Sequence, residues 1–257
     1  MASFTTTAVR RAQFLLDAIR QGPAPQAGRY LARRRGDRLN PSILSSRYHV
    51  LRQLAAALEA LVDEPAVAPG GTLVDFGCGE SPYAPIFARK FARHLRADLP
   101  GNPHADVTMG ADGTLPLDAR SCDAVLSSQV LEHVSDPAAY LAEARRVLRP
   151  GGLLFLSTHG AWPYHPDPTD YWRWTRDGLL LELERAGFEP ITVRAVLGRA
   201  ATAIQLLQDA VSAALPRPAR PFVGFAVQPI IGVVERRRRD PAPADAAIYA
   251  VLARVRG

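Results

Sequence analysis

From Gly71 onward the chain alternates short apolar runs with amphipathic ones, and that rhythm admits few folds. The runs "TLVDF", "HLRADL", "ADVTMG", "CDAVLSSQV", "LLFLST", "EPITVRAVL" and "AAIYAVLARV" read as seven strands in turn. Between them, "SPYAPIFARKFA", "SDPAAYLAEARRVL" and "TRDGLLLELERAGF" have helical spacing of apolar residues. Asp136 and Thr175 stand where N-caps belong, and Pro137 takes a first helical position. "RPGG" is expected to stop the second of these helices. Such alternation implies an open, mostly parallel sheet with helices on both faces.

The residues before Gly71 differ. Residues 1–65 read as a helical cap broken by "QGPAPQAG", and residues 66–257 as the core. "SSRYHVLRQLAAALEALV" is the strongest helix there, with Ser45 or Ser46 as cap and Leu51, Leu54, Leu58 and Leu61 on one face. A weaker amphipathic pattern runs from Val9 to Ile19. It lacks a signal-peptide core, and Asp17 argues against a transit peptide. A length of 257 residues suits one domain with additions, because single cores stop growing near ~250–300 residues.

Two cysteines, Cys78 and Cys122, exclude a disulfide framework and a C-x-x-C metal site, so a reducing, cytoplasmic setting and no metal are expected. Net charge is +6, and Lys90 is the only lysine. Arginines cluster at 33–35 and 236–239, where they either face solvent or meet an anionic partner. No run reaches the roughly 18–20 apolar residues of a membrane span.

"VDFGCGESPY" follows the first strand. Glycines there allow a sharp turn and close approach of a ligand to the backbone. Asp98 closes the second strand nineteen residues after Gly79, where an acidic residue meets ribose hydroxyls. Pro82 stands where a dinucleotide fingerprint needs its third glycine, which disfavours a nicotinamide oxidoreductase.

Together, "VDFGCGESPY", "ADL", "DGTLPLDARSCDAVLSSQVLEHVSDP" and "EARRVLRPGGLLFLSTHG" resemble the class I S-adenosylmethionine-dependent methyltransferases. The resemblance covers residues 70–195 and is to small-molecule enzymes with a "LEHV" segment. It implies a Rossmann-like α/β fold: a seven-stranded, mostly parallel sheet whose last strand is antiparallel and lies beside the sixth, with helices on both faces. It implies S-adenosyl-L-methionine as cofactor. Asp75, Gly77, Cys78 and Gly79 would then surround the methionine part, and Asp98 the ribose. Asp112 and Gly113 would lie at the adenine, and Ser128 and Gln129 at the methionine part or the sulfonium. Read alone, Asp75 is equally a strand-end cap, and Asp98 and Asp112 are equally turn residues. Glu80 and Ser81 depart from the family's small residues, so the shape of the turn is open.

Methyl transfer from a sulfonium mainly needs alignment of nucleophile, methyl and sulfur. A hydroxyl nucleophile also benefits from a base within hydrogen-bond reach. The loop after the fifth strand, "THGAWPYHPDPTDYWRWT", holds all three tryptophans. It is similar to a loop in methyltransferases associated with surface-polysaccharide and glycan biosynthesis, which implies a glycan or glycolipid-type acceptor. Base candidates are His165, then Asp170 and His133, with His133 also readable as a helix-start residue. His159, Tyr164, Tyr171, Trp172 and Arg173 are candidate acceptor contacts, and packing or loop closure are their structural alternatives. Trp174 is expected to pack only. The turns of nucleic-acid methyltransferases are missing: "SSQV" stands in place of an Asp/Asn-Pro-Pro-aromatic turn, and Cys122 precedes the fourth strand. No nucleic-acid partner is expected. A catalytically silent S-adenosylmethionine-binding protein, or an enzyme acting on another secondary metabolite, stays open.

Residues 199–243 lengthen the connection between the last two strands. "AATAIQLLQDAVSAAL" reads as an amphipathic helix with Ile204, Leu207, Val211 and Leu215 on one face. "RPFVGFAVQPIIGVVERRRR" is an apolar block ending in four arginines. The expectations for this insertion are a lid, a homodimer element, or peripheral membrane contact through 221–239 that would place the chain at the inner face of a membrane.

Overall fold

The computed structural model describes residues 36–167 and 169–256. The amphipathic pattern at Val9–Ile19, "QGPAPQAG" and the Arg33–Arg35 cluster lie outside the described residues. The elements, in chain order, are α1 (Gly36–Leu39), α2 (Tyr48–Val62), β1 (Thr72–Phe76), α3 (Ala84–Phe87), β2 (Arg93–Asp98), β3 (Val107–Thr108) and β4 (Cys122–Ser128). After a 3₁₀ turn at Leu131–His133 come α4 (Pro137–Val147), β5 (Leu148–His159), α5 (Arg176–Arg185), β6 (Phe188–Gly198), α6 (Arg199–Ala214), α7 (Arg220–Arg236) and β7 (Ala246–Val255).

The seven strands form one sheet in the order β3-β2-β1-β4-β5-β7-β6. β1 pairs in parallel with β2 and β4, β2 with β3, and β4 with β5. β7 runs antiparallel between β5 and β6. Thus β1, β2, β4 and β5 end on the same edge, at Phe76, Asp98, Ser128 and His159. In open α/β sheets a ligand lies beyond that edge.

Alternation along each strand divides the core into two layers. Leu73, Ala124, Phe155 and Leu252 face one layer, which includes Leu54, Leu58 and Leu61 of α2. Val74, Val125, Leu154 and Val251 face the other, with Tyr140 and Leu141 of α4 and Leu183 of α5. The central strands are buried on both faces, so they read as continuous apolar runs. Asp136 caps α4 by accepting from Ala139 N at 3.1 Å, and Thr175 caps α5 by accepting from Gly178 N at 3.1 Å.

Several local expectations are corrected. "SPYAPIFARKFA" makes only one helical turn, α3. α2 has Arg47 at its N-cap position, without a side-chain cap bond. Ser45 Oγ accepts from Arg47 N at 3.2 Å, ahead of the helix. α4 ends at Val147, just ahead of "RPGG" as expected, but "RPGG" itself is part of β5, at a register shift between Cys122 and Ala124 of β4. In α6 the packed face is Ala201, Thr202, Gln205 and Gln208, whereas Leu207 and Val211 are exposed. Among the described residues, no helix is long and apolar enough to cross a membrane.

Phe155 is fully buried and meets Phe87 and Phe91 edge-on, at centroid distances of 5.1 and 6.0 Å. Phe155→Ala should cost about 3–5 kcal/mol, as a large buried ring replaced by a cavity does. Urea unfolding of the purified chain measures this as a lower midpoint with the slope unchanged.

Candidate active site

The glycine turn beyond β1 is built for close approach. Gly77 has φ +81°, and its N–H bonds Ala97 O at 2.9 Å, which ties the turn to β2. A Cβ on Gly77 would stand 2.7 Å from Val130 Cγ2, so neither its backbone nor its surroundings accept a side chain. Gly79 has φ +52°, and a Cβ there would meet nothing within 4 Å. Its face of the turn opens into free space. Ser81 also has positive φ, at 51°, and its hydroxyl donates to buried Asp75 Oδ2 at 2.5 Å. Asp75 thereby braces the turn, with His94 Nε2 3.5 Å away. The Cys78 thiol is buried, and burial, then Asp75 and Asp98, push its pKa far up, so it stays protonated.

Asp98 is held in place at the end of β2. Its Oδ2 accepts from Gly79 N at 2.8 Å and from Asn102 Nδ2 at 2.6 Å, and its Oδ1 accepts from Leu99 N at 2.8 Å. Asn102 also donates to Gly79 O at 2.7 Å. The sequence offered only a turn signal for Asn102, in "PGN". Asp112 accepts from Thr114 N and Oγ1 in an exposed turn with Gly113 at φ +81°. Ser128 Oγ lies 2.9 Å from Ser157 Oγ. Gln129 turns out of β4 at φ 59°, its N–H bonded to Ser157 O at 2.8 Å. An open-faced glycine turn beside an oriented carboxylate fits a ligand with hydroxyls and a polar chain.

The second half of the site gathers around Glu132, which is fully buried. Its Oε2 accepts from Thr158 Oγ1 at 2.9 Å. Its Oε1 lies 2.8 Å from His159 Nδ1, an ion-pair contact away from the best hydrogen-bond direction. Burial opposes ionisation of Glu132, but His159 outweighs it and the pKa falls. The backbone carbonyl of Glu132 accepts from Tyr171 N at 2.8 Å and Trp172 N at 3.2 Å. One residue after β4 therefore anchors both ends of the loop after β5.

Within that loop, His159 stacks on Trp162 at 5.1 Å and 8°, and meets His165 edge-on at 4.6 Å. His133 lies edge-on to His165 at 5.0 Å, and its Nδ1 is 2.7 Å from Thr169 O. His165 is half-buried, and burial, then His159 and His133, lower its pKa. Its N–H donates to Asp170 Oδ2 at 2.9 Å. Both oxygens of Asp170 are held by Arg173, at 2.6 and 2.5 Å. Burial opposes the Asp170 charge, but Arg173 and the His165 N–H hold its pKa well below the carboxylate range. Arg173 also donates to Trp162 O and Pro163 O. Tyr164, Tyr171 and Trp172 are exposed, and Trp172 Nε1 donates to Val134 O at 2.7 Å. Trp174 N bonds His159 O at 3.0 Å, and its ring packs against the core.

Glu132, His159 and His165 each offer one ligand atom within 4.8 Å of the others. Two imidazoles and a carboxylate make a donor set for a transition-metal ion. No metal is expected from the sequence, where Glu132 falls in the loop after the fourth strand and the two histidines follow the fifth, and only the fold brings the three together.

A methyltransferase-domain family model matches residues 74–156. The ubiquinone biosynthesis O-methyltransferase of Dinoroseobacter shibae is 32% identical over 174 residues, covering 56% of this chain and 70% of that one. The chain belongs to the class I S-adenosylmethionine-dependent methyltransferases. Its cofactor is S-adenosyl-L-methionine. It spans about half the length of other curated relatives, such as 53% of the ubiquinone biosynthesis O-methyltransferase of Cereibacter sphaeroides. Among solved structures, 1,6-didemethyltoxoflavin-N1-methyltransferase of Burkholderia thailandensis, with bound S-adenosylhomocysteine, has a TM-score of 0.50 at 20% identity, covering 92% of this chain and 93% of that one. Phosphoethanolamine N-methyltransferase 2 of Haemonchus contortus, in complex with S-adenosyl-L-methionine, has a TM-score of 0.52 at 15% identity, covering 86% and 59%. At these identities the structures speak for the methyltransferase fold.

In this methyltransferase, Asp98→Ala should weaken S-adenosylhomocysteine binding at least ~tenfold, because a charge-assisted pair of acceptors is lost and Gly79 N–H is left unpaired. Titration calorimetry measures it. An affinity within twofold of wild type would remove Asp98 from the cofactor site.

Proposed function

We propose that this methyltransferase methylates a hydroxyl of a glycan or glycolipid-type metabolite, with His165 as the proton acceptor. S-adenosyl-L-methionine supplies an electrophilic methyl group on a sulfonium. Asp98 would hold the ribose, Asp112 and Gly113 would lie at the adenine, and Gly77, Cys78, Gly79, Ser128 and Gln129 would line the methionine part. Asp75 would keep the glycine turn in shape through Ser81.

The observation that carries the reading is the half-buried His165 imidazole, with lowered pKa, at the edge where an acceptor must arrive. A neutral imidazole there can take a hydroxyl proton as the oxygen attacks. Asp170 is spoken for by Arg173, so its role in this reading is to orient His165 and not to accept the proton. His133 and His159 flank His165 and disfavour its protonation. Exposed Tyr164, Tyr171 and Trp172 suit the apolar faces of a sugar ring. Relatives named O-methyltransferases are in keeping with an oxygen acceptor. A lipid-linked form of the acceptor would bring the enzyme to an anionic membrane face.

The sign of the pH dependence follows from the direction of the shift. A lowered imidazole pKa means that the accepting form persists below the ordinary value of about 6.5. The acid limb of kcat/KM should therefore lie below that pH, with activity lost as pH falls through it. His165→Gln should abolish the limb and lower kcat about 10²–10⁴-fold, leaving S-adenosylhomocysteine affinity unchanged. Incubation with labelled S-adenosylmethionine and a cell extract, followed by identification of the labelled product, tests the acceptor class. A labelled nitrogen, or a kcat untouched in His165→Gln, would overturn the reading.

A further inference from the structure

The hairpin formed by α6 and α7 buries three glutamines and leaves several large apolar side chains exposed. Its inward face sets Ala201 and Ile231 in the core and adds a buried polar cluster: the amides of Gln205, Gln208 and Gln228 converge on Ser46 O at 3.1, 2.8 and 3.0 Å. Gln228 Oε1 accepts from His49 N at 3.0 Å. Glu235 Oε2 accepts from Gly198 N at 3.0 Å, and its Oε1 from Arg238 Nε at 2.5 Å. Glycines let α7 approach the start of α2 and the chain just before it: a Cβ on Gly224 would lie 3.3 Å from Ser46 Cα, and one on Gly232 2.7 Å from His49 Cε1.

The outward face is apolar. Phe222, Phe225, Ile230 and Val233 of α7 are 75%, 60%, 53% and 48% exposed, and Leu207 of α6 is 65% exposed. On α7 these positions recur at helical spacing and make one stripe. Ordinary surface helices present the opposite arrangement, so the stripe awaits an apolar surrounding. Charge says which. Arg217 and Arg220 stand exposed at one end of α7, and Arg236, Arg237 and Arg239 at the other. Residues 199–239 hold only two acids, Asp209 and Glu235. Asp209 pairs with Arg47 and Glu235 with Arg238. A second copy placed two-fold on this face would set arginines against arginines. A leaflet of anionic lipid satisfies both the stripe and its ends.

We propose that the α6–α7 hairpin is a membrane dock, which lays the exposed face of α7 in the plane of an anionic leaflet with arginines on the headgroups at both ends. This rests on the membrane-linked form of the acceptor reading above only for its purpose. Its test needs no turnover. The full-length chain is floated with phosphatidylcholine vesicles with and without phosphatidylglycerol. Flotation should require the anionic lipid and weaken with added salt. Phe222→Ser with Phe225→Ser, and separately Arg236→Glu with Arg237→Glu, should each lower the bound fraction at least ~tenfold. These side chains are exposed, so thermal unfolding and S-adenosylhomocysteine affinity should stay at wild-type values. The proposal is overturned if wild type stays unbound with both vesicle types, or if neither variant changes flotation. It is also overturned if sedimentation shows a dimer that Phe222→Ser with Phe225→Ser dissolves while vesicles remain unbound. Failure of methyl transfer with flotation intact would strike the acceptor reading alone.

Discussion

A single buried carboxylate holds the loop after β5 in place. Glu132 lies one turn beyond β4 with no exposure, in a place where an unpaired charge would cost several kcal/mol. Thr158, at the end of β5, donates to one of its oxygens, and His159 lies within ion-pair distance of the other. Its own backbone carbonyl then receives Tyr171 and Trp172 from the far end of the following loop. The position of His165 follows from this. Its segment is pinned on one side by Glu132 and braced on the other by Asp170 and Arg173. The end of β4 is tied to the same strand, since Ser128 and Gln129 contact Ser157 next to Thr158.

Polarity is distributed differently in the two parts of the molecule. Within the sheet, apolar side chains close two layers, and polar groups collect at the strand ends. In the α6–α7 hairpin, buried amides face Ser46 and the phenylalanines face outward. The hairpin is held to the body by these hydrogen bonds and by Ile231, with Ile204, Val227 and Val234 packed against the same layer, while its other large apolar side chains stay outside. Such an arrangement sacrifices hydrophobic stabilisation in the isolated protein, about 1.5–3 kcal/mol for each large apolar side chain left out. That loss is recovered only where the outward face meets an apolar medium.

Much of the fold was legible because it rests on local rules. Strands buried on both faces read as apolar runs, and Asp136-Pro137 and Thr175 announce helix starts by short-range bonding. Gly77 was legible for a related reason, since a backbone at φ +81° after a strand calls for glycine. Other features were not local. Asn102 orients Asp98 through a turn whose sequence is unremarkable, and Glu132 looks like any residue of a helix start. The buried amides of α6 were not legible, because hydrophobic periodicity marks apolar positions, while Gln205 and Gln208 are buried only because Ser46 and Gln228 partner them.

The sequence by itself determined the order of strands and helices, the glycine turn, the acidic end of β2 and a loop rich in aromatic rings and histidines. Each depends on residues within a few positions of one another. The antiparallel last strand beside the sixth was implied by the family resemblance, whereas only the tertiary structure decided that Glu132, His159 and His165 converge. It also decided that Asp170 is committed to Arg173, and that α6 and α7 turn their amides inward. These depend on which distant segments meet, and on whether a buried charge or amide finds its partner there, which no local pattern encodes.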